Sequence, residues 1–240
     1  MSVASDPKTS LIEYLKTVDT PTVANAVEGL KLRPRNEGFA PLQLRCLFPE
    51  FGRMVGYAVT AHLETMTKVD AETFDFGTMA MQLYDALAAA PKPAVLVIQE
   101  IGPHPDFAAH CGEVMATLFQ RLGAVGLVTD CAVRDIAEVR ALGFHYFARG
   151  TAASHGYSRL VRAGIPVQVC GLPVRPNDLL HGDENGLLML PDHGLEKLPE
   201  AVEEVRKSEG KFLEFVRGAD FSLDKLRARL VKSYTKLEER

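Results

Sequence analysis

The stretch AVGLVTDCAVRDIAEVRALGFHYFARG (124–150) decides the fold class of this chain. It begins with a short apolar run, continues as a charged helical pattern, and ends with a second apolar run. A similar run, AVLVIQEI (94–101), precedes it, and the segment between them, DFAAHCGEVMATLFQRLG (106–123), has helical periodicity that Gly123 closes. Strands that alternate with helices are typical of β-α-β units. The middle of the chain is therefore predicted to form a parallel α/β core.

The segments before this core predict helices and one strand. TSLIEYLKTV (9–18) and DTPTVANAVEGL (19–30) have apolar residues at helical spacing, and Thr20 is the predicted cap of the second helix, before a proline. GRMVGYAVTAHL (52–63) has the composition of a strand. FDFGTMAMQLYDALAAA (74–90) has the pattern of a helix that the following prolines stop.

The segments after the core predict short strands and then helix. IPVQVCG (165–171), LLHGDENG (179–186) and LLMLP (187–191) are apolar runs separated by Gly, Asp and Asn, so we expect an antiparallel β layer. The last 45 residues return to a helical pattern. No repeat, low-complexity segment or linker divides the chain, which predicts a single domain.

Composition excludes several classes of function. The net charge is −4 over 240 residues and no broad basic run is present, which disfavours a nucleic-acid partner. No apolar stretch is long enough to span a membrane, and MSVASDPKTS (1–10) lacks the pattern of a secretory leader. The four cysteines form no Cys-x-x-Cys pair, which favours reduced thiols and argues against zinc: Cys46, Cys111, Cys131 and Cys170. We therefore expect a cytoplasmic protein without a membrane partner.

The first candidate for a functional site is the Arg134-Asp135 pair, which lies where a predicted strand gives way to a helix. Ligands collect at such junctions because the first amides of the helix and its dipole attract anions. A plainer interpretation is that Asp135 occupies a helical first turn, while Arg134 and Glu138, four residues apart, form a surface ion pair. The sequence around this pair leaves both interpretations open.

A second junction lies at Gly112-Glu113. If a helix begins there, the amides of Val114 and Met115 are free to bind a carboxylate, and the glycine lets a ligand approach closely. Together with Asp135, Glu113 offers the oxygen ligands that Mg²⁺ prefers. The alternative is that Gly112 only kinks a longer helix and Glu113 is solvated.

Residues 112–150 resemble the RraA-like family, which contains class II aldolases acting on 4-hydroxy-4-methyl-2-oxoglutarate and 4-carboxy-4-hydroxy-2-oxoadipate, together with the bacterial regulator of ribonuclease E activity. The family signature is a Gly-acid pair, a gap of about twenty residues, and then Arg-Asp-x-x-acid. Gly112-Glu113 and Arg134-Asp135 match it. The segments 52–60 and 174–191 are also similar to family patterns, so the resemblance covers roughly residues 15–192.

This resemblance implies a fold and an assembly. The fold would be a swivelling β/β/α domain with N- and C-terminal helices, so that 1–240 forms a single domain with a core at 15–192 and a helical extension at 193–240. Family members assemble as trimers, sometimes paired into hexamers, with active sites between subunits. A homo-oligomer is therefore expected.

The resemblance also implies a reaction. The protein would be a lyase that depends on a divalent metal, Mg²⁺ or Mn²⁺, and cleaves 4-hydroxy-2-oxo acids by a retro-aldol reaction to give pyruvate. The enolate of pyruvate also arises when oxaloacetate loses CO₂, so oxaloacetate decarboxylation needs no extra residue. The alternative within the same family is a regulator that binds another protein without catalysis.

Individual residues receive roles from the same resemblance. Asp135 would coordinate the metal, Glu113 would join its hydration shell, and Arg134 would contact the keto or enolate oxygen. The main chain of three residues would bind the substrate carboxylate: Gly112, Val114 and Met115. A neighbouring subunit would supply a further metal-binding carboxylate from its C-terminal helix, for which Glu209 is the candidate and Glu204 the reserve.

Four features depart from the family pattern, and Cys131 and Asn177, where many members have glycine, lie in predicted turns. Many members carry Asp where this chain has Glu113, which keeps a carboxylate on a longer side chain. The loop IGPHPDFAAH (101–110) is unlike the aldolase loop, so the resemblance does not predict the chemical structure of the distal part of the substrate. The sequence does not rank three histidines as structural or catalytic: His104, His110 and His155.

Overall fold

The structure is a computed structural model that describes residues 7–70, 72 and 74–238. Residues 1–6 and 239–240 of the predicted domain lie outside this part of the chain. The helices are α1 (Pro7–Leu15), α2 (Thr20–Gly29), α3 (Phe76–Ala89), α4 (Glu113–Arg121), α5 (Ile136–Leu142), α6 (Leu198–Arg217) and α7 (Leu223–Glu238). The strands are β1 (Arg45–Cys46), β2 (Met54–Glu64), β3 (Ala94–Glu100), β4 (Ala124–Thr129), β5 (Ala132–Val133), β6 (His145–Ala148), β7 (Gly150–Thr151), β8 (Arg159–Ala163), β9 (Val167–Val169), β10 (Leu172–Val174), β11 (Leu179–Asp183) and β12 (Gly186–Met189).

A mixed sheet organises the described residues. Its strands follow the order β1-β6-β4-β3-β2-β11-β12, and β8 also pairs with β2. The four neighbours β6, β4, β3 and β2 are parallel, which confirms the predicted parallel α/β core. Because parallel strands connected by helices end at the same edge, the loops that follow β3 and β4 lie together.

The central strand β3 is apolar throughout because both faces of the sheet are covered. Leu96 and Ile98 belong to the core that α3, α4 and α5 form on one face. Val95 and Val97 belong to the core beneath the β9–β10 hairpin on the other face. A third core lies where α1, α2 and α6 pack against the β11–β12 hairpin.

The prediction of one antiparallel layer after the core is only partly correct. β11 and β12 do form an antiparallel hairpin, but β11 also pairs with β2 and so extends the main sheet. Only β9 and β10 form a separate two-stranded pair. The reason is the length of β2, whose eleven residues pair with β11 at one end and with β8 at the other.

Two predicted helix starts are wrong. The helix predicted from residue 106 begins only at Glu113, because residues 108–111 form backbone hydrogen bonds with the β5 segment, including His110 N–H to the Ala132 carbonyl. The cap of α2 is Asp19 and not Thr20, since the Asp19 side chain accepts the amide of Thr22 at 3.0 Å. Tertiary pairing delays the start of α4, and the cap of α2 lies one residue earlier than predicted.

The C-terminal segment is helical as predicted, in α6 and α7. α6 packs on α2 through three buried side chains: Leu198, Ala201 and Val202. Within the described part of the chain, no helix combines the length and apolar character needed to cross a membrane.

Candidate active site

Backbone pairing brings the two predicted junctions together. Ala109 and Ala132 form an isolated parallel bridge, and the N–H of Arg134 donates to the carbonyl of Cys111 at 2.9 Å. The residues that follow each partner, Gly112-Glu113 and Arg134-Asp135, are consequently neighbours in space. The first pair begins α4 and the second precedes α5.

Asp135 adopts a backbone conformation that is unusual for a residue other than glycine. It occupies the N-cap position of α5 with φ 57° and ψ 48°, in the left-handed region, and its side chain does not cap that helix. Its Oδ2 instead accepts the amide of Glu113 at 2.9 Å, at the start of α4. The carboxylate therefore joins two helix starts, which an ordinary residue of a helical first turn does not do.

Gly112 is required by this contact. A Cβ added at residue 112 would lie 2.2 Å from Oδ2 of Asp135 and 3.0 Å from Nε of Arg134. The first distance, to the carboxylate itself, is shorter than real Cβ atoms show, and the second is tighter than most Cβ contacts. Gly112 thus permits the close approach of two charged groups to the main chain and does not kink a longer helix.

Arg134 lies beside the same carboxylate. Its Nε is 3.7 Å from Oδ2 of Asp135, and each of the two side chains is about one-third exposed. Among the described residues this is the ion pair that Arg134 makes, and Glu138 takes no part in it. The surface-pair interpretation of Arg134 is therefore not supported.

The main-chain amides at the start of α4 complete the polar part of the site. The amide of Glu113 donates a hydrogen bond to the Asp135 carboxylate, and the amide of Ala116 donates one to the carbonyl of Gly112. Val114 and Met115 come between them, in the first turn, where amides have no acceptor within the helix. Both residues line the cavity described next, so they can donate to an anion there.

A cavity of about 390 Å³ opens at this junction. Its polar lining includes Gly112, Arg134 and Asp135, together with His155, Ser158 and Arg159 from the segment around the start of β8. His110 also contributes to the lining, and the rest is mostly apolar and comes mainly from α3, α4 and the adjoining strands. A volume of this size is within the range of sites for small molecules.

Comparison with known proteins identifies the family of the chain. A model of the RraA-like family, described as Aldolase/RraA, matches residues 20–189. The chain belongs to the RraA-like family. The matched segment contains both junctions, from Gly112 to Asp135.

Relatives of the family are similar at low identity. A protein of Halalkalibacterium halodurans, provisionally named a 4-hydroxy-4-methyl-2-oxoglutarate aldolase, is 26% identical over 193 residues, which cover 78% of this chain and 79% of that protein. A protein of unknown function from Pseudomonas syringae has a similar structure, with a TM-score of 0.66 at 21% identity, covering 95% of this chain and 99% of the other. The fold is also that of a Streptomyces coelicolor protein, an unusual member of the ribonuclease ES inhibitor RraA family, with a TM-score of 0.64 at 22% identity over 90% and 99% of the two chains.

The fold class that the sequence implied is thereby established. The chain has the RraA-like α/β fold, a swivelling β/β/α domain, with its mixed sheet flanked by helices. The helices α1 and α2 precede the core, and α6 and α7 follow it.

Glu113 contributes to the site mainly through its backbone. Its amide binds Asp135, but its side chain is exposed and does not contribute to the cavity lining of the described residues. Glu209, the other candidate ligand, is exposed on α6 and accepts a hydrogen bond from Nδ2 of Asn25 at 3.1 Å. The reserve candidate Glu204 is exposed on the same helix. Both remain predictions for a neighbouring copy of the chain.

The three histidines have different positions in this RraA-like chain. His155 is exposed at the polar part of the cavity. The side chain of His110 is fully buried, with Nε2 2.9 Å from Oε2 of Glu100 and Nδ1 2.8 Å from Oγ1 of Thr129. His104 is exposed on the preceding loop, where its ring packs edge-on against Phe107. His110 and His155 both line the cavity, but both ring nitrogens of His110 are already paired, so His155 is the one with a ring free of such contacts to Glu100 and Thr129.

The sequence did not reveal two buried carboxylates beneath the cavity. Glu64 accepts Nε of Arg159 at 3.0 Å, and Glu100 accepts the amide and hydroxyl of Thr65 as well as the His110 ring. The available signal was positional, because Glu64 and Glu100 close the apolar runs of two parallel strands. No comparable signal identified Arg159.

The cavity does not contain a reactive thiolate. Cys111 lines it, but burial raises the pKa of its thiol to about 12. Burial also raises the pKa of the Cys131 thiol, to about 12. Both groups are therefore neutral at physiological pH, and chemistry at this site depends on oxygen and nitrogen groups.

The donor set fits a hard cation that retains water ligands. Among the described residues, no three His, Cys, Asp or Glu side chains come together in a metal-binding cluster. Asp135 uses Oδ2 to accept an amide, which leaves Oδ1 for another ligand. Mg²⁺ is commonly held by one or two carboxylates together with water and substrate oxygens, so Asp135 fits this role and a closed, all-protein site is not needed.

Proposed function

We propose that this protein is a divalent-metal-dependent lyase that cleaves 4-hydroxy-2-oxo acids to release pyruvate and decarboxylates oxaloacetate through the same pyruvate enolate. The observation that carries the proposal is the contact of the Asp135 carboxylate with the first amide of α4, beside Arg134. This arrangement offers an anion site, a cation and a carboxylate at one end of a cavity. Membership of a family described as Aldolase/RraA supports it.

The first role of the chain's own residues is to bind and orient the 2-oxo acid. The amides of Val114 and Met115 are suited to the carboxylate, since they lie at the positive end of the helix dipole. Close approach is possible because Gly112 has no side chain. A carboxylate held there directs the adjacent 2-oxo group towards Arg134.

The second role is to stabilise the negative charge that develops on the 2-oxo oxygen. When the C3–C4 bond of a 4-hydroxy-2-oxo acid breaks, or when oxaloacetate loses CO₂, the electron pair moves onto this oxygen. The Arg134 guanidinium can donate a hydrogen bond to it, and its partial burial strengthens that interaction. The carbon that was C3 then takes a proton, and pyruvate is released.

Asp135 would hold the divalent cation, and Glu113 would join its hydration shell through its longer side chain. The cation, Mg²⁺ or Mn²⁺, supplies Lewis-acid polarisation of the 2-oxo group when bound. Asp135 is kept in place by the Glu113 amide, which fixes the orientation of its carboxylate. Assembly as a trimer or hexamer, with Glu209 of a neighbouring copy close to this site, belongs to the same proposal.

A non-catalytic, protein-binding role is the alternative that the family suggests. It gives no reason for a glycine that is held against a carboxylate inside a cavity, whereas substrate binding does. The similarity to the Streptomyces coelicolor protein supports the fold alone. The lyase is therefore the function that the site favours.

The test is pyruvate release from oxaloacetate by the purified protein with Mg²⁺, with Mn²⁺ and with EDTA. We expect turnover that needs the metal and falls by about 100-fold or more in Arg134→Ala and Asp135→Ala. Arg121→Ala and Asp85→Ala are matched controls, since both residues are exposed and lie outside the cavity lining. Turnover no faster than that of free metal in buffer would contradict the proposal.

A further inference from the structure

The cavity beyond the polar site has an apolar wall. Six residues carry the argument: Leu83, Tyr84, Ile98, Met115, Phe119 and Leu160. Phe119 lies six residues after Glu113 along α4, so the wall extends about 9 Å from the start of the helix. It is therefore long enough to contact the distal half of a substrate whose carboxylate is bound at the start of α4.

The cations that line the cavity are already compensated. Arg134 lies beside Asp135, and Nε of Arg159 donates to Glu64 at 3.0 Å. Burial by itself would raise the pKa of Glu64, but hydrogen bonds from the amides of Met66 and Thr67 and from Arg159 outweigh it and lower the pKa. Glu64 is thus an anion that neutralises Arg159.

A second carboxylate on the substrate would find little to pair with at the apolar wall. Among the described lining residues, His110 and His155 are the remaining groups that could carry a positive charge. The His110 ring is already paired with Glu100, 2.9 Å away, and His155 is exposed. An anion placed against leucine, isoleucine and phenylalanine loses hydration without gaining a partner. An alkyl group in the same place gains from burial.

We infer that the substrate of this cavity is a 2-oxo acid with one carboxylate and an apolar, branched or aromatic distal group, in place of a dicarboxylate. This inference rests on the proposed function for its reaction, but the binding preference can be measured without turnover. In this inference the polar end of the cavity binds the 2-oxo acid group, and the apolar wall contacts the distal group.

The binding test uses two acids that share the 2-oxo carboxylate and differ at the far end. 5-Methyl-2-oxohexanoate ends in an isopropyl group, and 2-oxoglutarate has a carboxylate in its place. Neither can undergo the retro-aldol or decarboxylation step. Calorimetric titration with Mg²⁺ present should give a Kd about tenfold lower for the branched acid, since each buried methyl group contributes roughly fourfold. Equal or tighter binding of 2-oxoglutarate would overturn the inference, and so would the absence of binding by both acids.

Two variants of α3 test whether the apolar wall causes the preference for the branched acid. Ala80 lines the cavity from α3, whereas Ala88 is exposed on the same helix and lies outside the lining. We expect Ala80→Phe to weaken binding of 5-methyl-2-oxohexanoate by about tenfold, because the ring occupies the space of the distal group. Ala88→Phe should change neither this affinity nor oxaloacetate turnover. Equal effects of the two substitutions would overturn the assignment of the wall.

Turnover separates the two proposals. 4-Hydroxy-6-methyl-2-oxoheptanoate should be cleaved to pyruvate and 3-methylbutanal: the C3–C4 bond breaks, the C4 hydroxyl loses its proton, and C3 gains one. Its kcat/KM should exceed that of 4-hydroxy-2-oxoadipate by about tenfold. A preference for the adipate overturns the substrate class and leaves the lyase intact. If oxaloacetate gives no pyruvate but the branched acid still binds more tightly, the lyase proposal fails and the substrate class stands.

Discussion

At the scale of single residues, Gly112 and Asp135 depend on each other. Asp135 takes a left-handed backbone conformation that directs its carboxylate to the start of α4, and Gly112 leaves the space that this carboxylate occupies. A side chain at residue 112 would displace the carboxylate or the neighbouring Arg134. The geometry of the site is therefore more sensitive to this glycine than the stability of the fold is.

Gly112→Ala tests this dependence. The added Cβ would lie 2.2 Å from Oδ2 of Asp135, so the carboxylate must move. We expect kcat/KM for oxaloacetate to fall about 100-fold, as misplacement of a catalytic group by an ångström can cause. Gly29→Ala is the control, because a Cβ there meets nothing within 4 Å. Equal activity of the two variants would contradict the role of Gly112.

His145 predicts a pH dependence of stability. Burial lowers its pKa from 6.5 to about 4, and its Nδ1 has no hydrogen-bond partner among the described residues. The unfolded chain therefore binds a proton near pH 6.5 that the folded chain does not bind until about pH 4. The free energy of unfolding should decrease as the pH falls through this window, by up to about 3 kcal/mol.

His145→Leu removes this contribution without removing the apolar contacts of the side chain. Urea unfolding of the wild type and the variant between pH 7 and pH 4 would measure it. The stability difference between the two proteins should shift in favour of the variant as the pH decreases. Parallel curves over the whole window would show that His145 does not titrate as its burial predicts.

At the scale of elements, the site rests on the pairing of two loops. Residues 108–111 and the β5 segment form a short parallel pair, and α4 and α5 begin directly after it. The buried His110 side chain connects the first of these loops to Glu100, at the end of β3, and to Thr129, at the end of β4. The sheet thereby fixes the start of α4.

The His110–Glu100 pair should contribute strongly to stability. His110→Ala removes the ring partner of the buried Glu100 side chain, which keeps its hydrogen bonds from Thr65, and we expect a loss of about 1 to 3 kcal/mol in the free energy of unfolding. In a double-mutant cycle, His110→Ala combined with Glu100→Gln should cost less than the sum of the single changes. Urea unfolding measures all four proteins. Additive losses would mean that the two side chains do not act as a pair.

At the scale of the whole molecule, the proposed function includes assembly of several copies of the chain. α6 and α7 expose apolar side chains, among them Phe212, Leu213 and Leu230. Glu209 on α6 is exposed and is the candidate for a carboxylate that a neighbouring copy would supply. We propose that the active oligomer has three or six times the 26.3 kDa mass of one chain.

Subunit mixing tests whether sites are shared. Arg134→Ala and Glu209→Gln should each be inactive alone. When they are unfolded and refolded together, about a quarter of the sites in a cyclic trimer would combine intact residues from two copies, and activity should return in proportion. Glu214→Gln, at an exposed position of the same helix, is the control that should remain active. If Glu209→Gln is fully active alone, the neighbouring carboxylate is another residue or is absent.

Local signals in the sequence predicted most of the fold. The apolar runs, the helical periodicity and the closing glycines lie within short segments, so they predicted the parallel core and the C-terminal helices. The Gly112-Glu113 and Arg134-Asp135 pairs were identified in the same way. Their positions, between a strand end and a helix start, can be recognised from the order of residues along the chain. The family match agrees with the predicted fold, and the roles of the two pairs stay predictions.

Contacts between distant segments decided the remainder. Residues 108–111 lie in a segment with a helical pattern, but their pairing with the β5 segment overrides it, and no local signal reports this pairing. The compensation of Arg159 by Glu64 joins residues 95 positions apart, and the apolar wall combines side chains of α3, α4 and β8. By itself, the sequence therefore determined the elements and the polar residues between them, since both depend on neighbours along the chain. The charge balance and shape of the cavity, on which the proposed substrate preference rests, arise only when separate elements pack together.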